Sequence, residues 1–160
     1  MEDQTIMLGP ISYIYRSHSA YMTKELEDYR LGSGQFEFLM YLYHKDGVSQ
    51  ETIAKDLKVS KATSARAIQS LEKEGYVFRQ KDENDLRAYK VYLTEKGKEM
   101  RDDIFKKLDS FAEILLSDFT YEEKEILWLL LQKAAIKLFE PGFEPPQKGQ
   151  LCERNKGRST

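Results

Sequence analysis

Residues 49–94 read SQETIAKDLKVSKATSARAIQSLEKEGYVFRQKDENDLRAYKVYLT, and this stretch decides the fold. Ser49 is a good helix N-cap, because its hydroxyl can accept from an orphan backbone N–H. Ile53, Ala54 and Leu57 then form an i, i+1, i+4 apolar stripe. Lys58 and Val59 leave room only for a tight turn. Ser60 caps the next helix, and Gly75 suits the left-handed position that ends it. Between them, Ser64, Ala67, Ile68 and Leu71 share one face, while Ala62, Arg66, Gln69 and Lys73 share the opposite one. Two β-rich runs follow, Tyr76–Lys81 and Tyr89–Leu93, joined by the turn-forming residues Asp82, Glu83, Asn84 and Asp85. Helix, turn, helix and hairpin in this order predict a helix-turn-helix with a β-hairpin wing.

The second helix of such a unit is shaped for the major groove of DNA. Its inner face is small and aliphatic, which suits close packing on the preceding helix. Its outer face is short, polar and cationic, which suits a groove floored by base edges and walled by phosphate. A cationic face can also be only a solvated one. The hairpin that follows at once favours the groove. Its flanks carry Arg79, Lys81, Arg87 and Lys90, and an arginine at a wing tip can enter the more negative minor groove. From Lys55 to Lys90 there are nine Lys or Arg against six Asp or Glu. That local excess can drive phosphate contact although the whole chain carries a net charge of −2.

The run DENDLRAYKVYLTEKG resembles the wing signature of the MarR (multiple antibiotic resistance regulator) family, an Asp-x-Arg followed by aliphatic-x-Leu-Thr-x-x-Gly. It falls here on Asp85, Arg87, Val91, Leu93, Thr94 and Gly97. The run VSKATSARAIQSLEKEGYV is similar to that family's recognition helix, with Arg66, Leu71 and Gly75 at the same spacing. The resemblance covers roughly residues 8 to 140. It implies a mainly α protein with a small β-hairpin wing: a winged helix-turn-helix flanked by N- and C-terminal dimerisation helices. It implies a repressor more than an activator, and a response to a small anionic or phenolic effector lodged between dimer arm and winged unit. A basic residue of the first helix meets such ligands in several members, which points to Arg16. Tyr13 and Tyr15 beside it either line that pocket or are ordinary packing residues.

The rest of the chain is consistent with one subunit of an oligomer. At 160 residues it is one domain. Its layout is expected to be dimerisation helices at 10–30 and 95–140, a winged helix-turn-helix at 34–94, and a tail at 141–160. The single cysteine, Cys152, allows no internal disulfide and no cysteine-based zinc site. Two histidines, His18 and His44, are too few for a His-rich metal site. No signal peptide and no stretch of transmembrane length is evident, so a cytoplasmic setting without membrane contact is expected.

The first helix is predicted from Pro10 to Tyr29, with Pro in the first turn, where its missing N–H costs nothing. Ile11, Ile14, Tyr15, His18, Met22 and Leu26 form its apolar stripe, and His18 reads as a core or interface histidine. A second helix, Gln35–His44, is predicted to bury Phe36, Leu39, Met40 and Tyr43. After the wing, Thr94 caps a long helix reaching Ser117. Its seam, Met100, Ile104, Leu108, Phe111 and Leu115, is spaced for a partner helix. Thr120 and Glu123 have capping-box spacing. The helix they start holds six consecutive apolar residues, Ile126–Leu131, and so must be buried on most sides, with a second subunit as the cover.

These readings converge on a homodimer that binds double-stranded DNA. One recognition helix reads few base pairs, whereas two related by a two-fold axis read half-sites of a near-palindrome. Lys61, Thr63, Ser64 and Arg66 are the candidate major-groove residues, and Arg87 the wing contact. No cofactor is implied. Catalysis finds no support: there is no Ser/His/Asp or Cys/His spacing and no glycine-rich phosphate loop. The alternative from another class is a winged helix used as a protein-interaction module without sequence-specific DNA binding.

Overall fold

A computed structural model of the chain describes residues 6, 8–82 and 89–138. Arg87, Asp85 and the wing-loop tip, together with Cys152 and the 141–160 tail, lie outside the described residues. Packing divides the chain into two compact units, Met1–Leu115 and Leu116–Thr160.

The first unit runs α1 (Leu8–Glu25), α2 (Ser33–His44), β1 (Val48–Ser49), α3 (Gln50–Asp56), α4 (Lys61–Lys73), β2 (Val77–Lys81), β3 (Tyr89–Leu93) and α5 (Glu95–Leu115). The strands form an antiparallel sheet in the order β1-β3-β2, with Val48 opposite Val91 and Val77 opposite Leu93. The wing hairpin is therefore joined by a third, two-residue strand that sequence patterning did not suggest.

The helix pair forms for the local reasons its sequence contains. Ser49 Oγ accepts from the Thr52 N–H at 3.1 Å, and Ser60 Oγ from the Thr63 N–H at 3.0 Å. Gly75, at φ 77°, ends α4: its N–H bonds to the Glu72 carbonyl and that of Tyr76 to the Leu71 carbonyl. The same double closure ends α3 at Lys58 (φ 54°) and the 3-10 turn after α1 at Arg30 (φ 56°). Glycine is the usual residue there, and a side chain at such a φ carries strain.

The core lies around α2, which packs against α1, α4, α5 and β3. Phe36 and Leu39 are buried as predicted, but so are Phe38, Tyr41 and Leu42, whereas Met40 and Tyr43 are only half-buried. Packed on several sides, α2 has no single inward stripe for a periodicity to reveal. Its two tyrosines reach out of the core by their hydroxyls, Tyr41 to Asp56 at 2.7 Å and Tyr43 to the Gly97 carbonyl at 2.8 Å. In α5, Met100 and Ile104 are buried within this unit and Phe111 meets the His18 and Tyr21 rings. For Phe111, the partner helix predicted for this seam is α1 of the same chain. His18 lies between Phe36 and Phe111, at ring distances of 5.7 and 5.1 Å. Further toward the N-terminus, Ile11, Ile14 and Tyr15 of the α1 stripe are exposed.

The second unit contains α6 (Tyr121–Ile136). The Thr120–Glu123 capping box opens it, with the Thr120 N–H donating to Glu123 at 2.8 Å. Its residues Ile126, Leu129, Leu130 and Leu131 are exposed in the single chain.

Candidate nucleic-acid interface

The outward face of α4 is built as its sequence predicts. Ala62, Arg66, Gln69 and Lys73 are exposed, while Ala67, Ile68 and Leu71 are buried on the opposite side. Lys61 and Thr63, in the first turn, are exposed as well. The Thr63 hydroxyl shares a 2.8 Å hydrogen bond with the Ser60 hydroxyl, and Arg66 Nε reaches the Ala62 carbonyl at 3.4 Å.

Ser64 is a correction. It is fully buried and donates to the Gln50 carbonyl at 3.3 Å. Its helical phase places it with Ala67, Ile68 and Leu71, where it joins α4 to α3 and cannot meet DNA. Its neighbours Lys61, Thr63 and Arg66 escape this because they lie on other faces of the same turns.

Two ion pairs on this surface join residues of separate elements. Lys61 Nζ lies 2.5 Å from Glu51 Oε1, linking the first turns of α4 and α3. The Lys61 ammonium holds the Glu51 carboxyl below the usual carboxylate range. At the root of the wing, Arg79 donates to Glu72 of α4 through Nε at 3.1 Å and through Nη2 at 2.5 Å. That fork ties the hairpin to the recognition helix. Sequence reading singled out the cations and missed both carboxylates, since Glu51 and Glu72 read as ordinary helix residues until the fold brings them opposite a cation.

These features are those of a DNA reader, and comparison with known proteins agrees. The MarR family model matches residues 31–89. The chain is 34% identical over 143 residues to YybA, an uncharacterized HTH-type transcriptional regulator of Bacillus subtilis (strain 168), covering 89% of this chain and 95% of that one.

This chain belongs to the MarR family.

It is therefore a DNA-binding winged helix-turn-helix transcriptional regulator and not an enzyme, and the interaction-module reading gives way. A MarR transcriptional regulator from Methanosarcina mazei Go1 superposes with a TM-score of 0.78 at 45% identity, covering 85% of this chain and all of that one. A MarR family regulator from Listeria monocytogenes, complexed with a 26mer DNA, shares the fold with a TM-score of 0.74 at 24% identity, covering 100% of this chain and 99% of that one. Among the described residues, no helix is long and apolar enough to cross a membrane.

A second feature of this MarR chain is an open concavity of about 730 Å³ beside α1, lined by Tyr15, Arg16, Thr23, Lys24, Arg30 and Leu31 among others. Arg16 is part of it. Tyr13 is not: the lining begins at Tyr15, and Tyr13 lies beyond it toward the N-terminus, 69% exposed. Tyr15 takes that place, and its hydroxyl donates to Glu37 at 2.9 Å. The Glu37 carboxylate that accepts this proton pushes the phenol above its ordinary pKa.

Proposed function

We propose that this MarR protein is a homodimeric, ligand-responsive repressor that works in the cytoplasm on a near-palindromic operator. The observation that carries the reading is the outer surface of α4, where Lys61, Thr63, Arg66, Gln69 and Lys73 are exposed while Ser64, Ala67, Ile68 and Leu71 are buried against the rest of the unit. We assign the major-groove contacts to Lys61, Thr63 and Arg66, and the wing contact to Arg87. The dimer is supported by the apolar residues that α6 leaves exposed. A two-fold axis would set two recognition helices about one turn of DNA apart, at roughly 34–36 Å.

The effector reading is supported by the concavity and by what its rim touches. Arg16, Lys24 and Arg30 outnumber Glu27 in its lining and give it a net cationic character suited to a small anionic or phenolic compound. Arg30 also lies 3.9 Å from Glu74 at the end of α4, and the Tyr76 hydroxyl donates to the Tyr29 carbonyl at 3.0 Å. An anion that draws Arg30 toward itself loosens one tie to the recognition helix and shifts the population away from the DNA-competent state. No cofactor takes part.

The test is a titration against the DNA upstream of the protein's own gene, followed by footprinting. Two related half-sites about one helical turn apart, with binding weakened by Arg66→Ala and by Arg87→Ala, support the reading. A single protected half-site sinks the dimeric operator. Binding that resists every phenolic and carboxylate compound screened sinks the effector.

A further inference from the structure

The pair Lys61–Glu51 is an unexpected arrangement for a surface that meets a polyanion. In a helix-turn-helix the first turn of the recognition helix approaches base edges, and the preceding helix crosses the phosphate backbone. Lys61 is the first residue of α4 and Glu51 belongs to the first turn of α3. Both side chains are largely exposed, 78% and 72%, so neither is forced into the pair by burial. A carboxylate at this position repels phosphate, and at 2.5 Å it also pairs with the Lys61 ammonium.

We infer that Glu51 is a brake on sequence-independent DNA binding: on random sequence it keeps Lys61 to itself, so that the pair adds no net cation to the contact with phosphate, and Lys61 leaves the pair only for the base edge of an operator. Non-specific affinity comes almost wholly from cations that displace counterions from DNA. Lowering it while the α4 contacts to base edges stay intact widens the ratio between operator and random DNA. Glu51 acts on selectivity through Lys61 and makes no base contact of its own. The inference rests on the placement of α4 against DNA proposed above.

The experiment is an anisotropy titration of a random-sequence duplex with the full chain, over a series of salt concentrations. It compares wild type, Glu51→Gln, Lys61→Met and the double variant. Glu51→Gln is expected to bind more tightly and to steepen the dependence of log K on log salt by about 0.9, one released phosphate contact. Its advantage then shrinks about 3.5-fold between about 50 and 200 mM salt. In the Lys61→Met background the same change leaves the slope unaltered. A slope unchanged by Glu51→Gln overturns the brake, and so does an equal gain in both backgrounds, which is plain repulsion without Lys61. Arg66→Ala reports on the placement itself, since it removes a cation outside the pair and weakens binding whether or not the brake operates.

Discussion

Gly97 faces the backbone carbonyl oxygen of Tyr76 so closely that a Cβ on Gly97 would overlap it. The same carbonyl accepts from the Thr94 N–H at 3.0 Å and from the Thr94 hydroxyl at 3.1 Å, and Thr94 Oγ1 in turn accepts from the Gly97 N–H at 3.0 Å. The Leu-Thr-x-x-Gly run is thus a physical joint. Thr94 caps α5 and ties it to the start of β2, and Gly97 lets the first turn of α5 sit against that strand.

Gly97→Ala is therefore expected to destabilise the fold, although alanine is the better helix former. The obstructing atom is backbone and cannot rotate away. Overpacking of this kind costs about 1–3 kcal/mol, against a propensity gain of about 1 kcal/mol. Urea unfolding should show a lower midpoint with an unchanged slope. A midpoint equal to wild type would mean that α5 shifts freely on β2.

Ser64 and Arg66 are two residues apart and should separate stability from recognition. Ser64→Ala removes a buried hydroxyl from the α3–α4 junction, at a cost of about 1 kcal/mol, and should leave the DNA affinity of the folded protein unchanged. Arg66→Ala should leave the unfolding midpoint unchanged and weaken binding. If Arg66 contacts a base edge, the loss is about 1–3 kcal/mol and confined to one operator position. If it contacts phosphate, all sequences weaken alike and the salt slope falls by about 1. Loss of operator binding in folded Ser64→Ala would contradict its placement in the junction.

What could be read from sequence is what chemistry decides within a few residues. Ser49, Ser60, Gly75 and the Thr120–Glu123 box mark helix ends by side-chain or backbone bonding to near neighbours, and each does so here. What could not be read depends on distant partners. Val48 and Ser49 are a strand only because Val91 and Lys90 lie alongside. Gly97 is constrained by Tyr76, and Glu51 matters through Lys61. Arg30 and Lys58 take left-handed positions that local preference reserves for glycine. Ser64 shows a different failure. Its helical phase already grouped it with the buried face, yet its polar side chain and its neighbours suggested a DNA contact.

His18 gives the fold a pH dependence of definite sign. Burial beside Phe36 and Phe111 holds its imidazole below the ordinary histidine range, with the Glu37 carboxylate partly offsetting this. The unfolded chain binds this proton near pH 6.5, so in mildly acidic solution it holds more protons than the folded one. This stability is complete above about pH 6.5 and declines as the pH falls toward the folded-state value. Urea midpoints measured from pH 7 down to about 5 should fall for wild type and stay flatter for His18→Leu. Equal slopes for the two would remove His18 as the cause.

The exposed face of α6 carries the last prediction. Ile126, Leu129, Leu130 and Leu131 are each more than half exposed in the single chain. Fully burying one such side chain is worth about 1.5–3 kcal/mol. A two-fold contact presents every residue twice, so a few leucines can hold a dimer at micromolar concentration. Leu130→Glu places a carboxylate in that contact, and desolvating an unpaired charge exceeds what the leucine contributed. Light scattering on the eluting protein should then report a single-chain mass for the variant and twice that for wild type, while far-UV circular dichroism stays the same. Operator affinity should collapse with the dimer, since each half-site is bound alone. A Leu130→Glu variant that remains dimeric would move the two-fold contact away from α6, and the exposed residues of α1, Ile11, Ile14 and Tyr15, would be the next surface to alter.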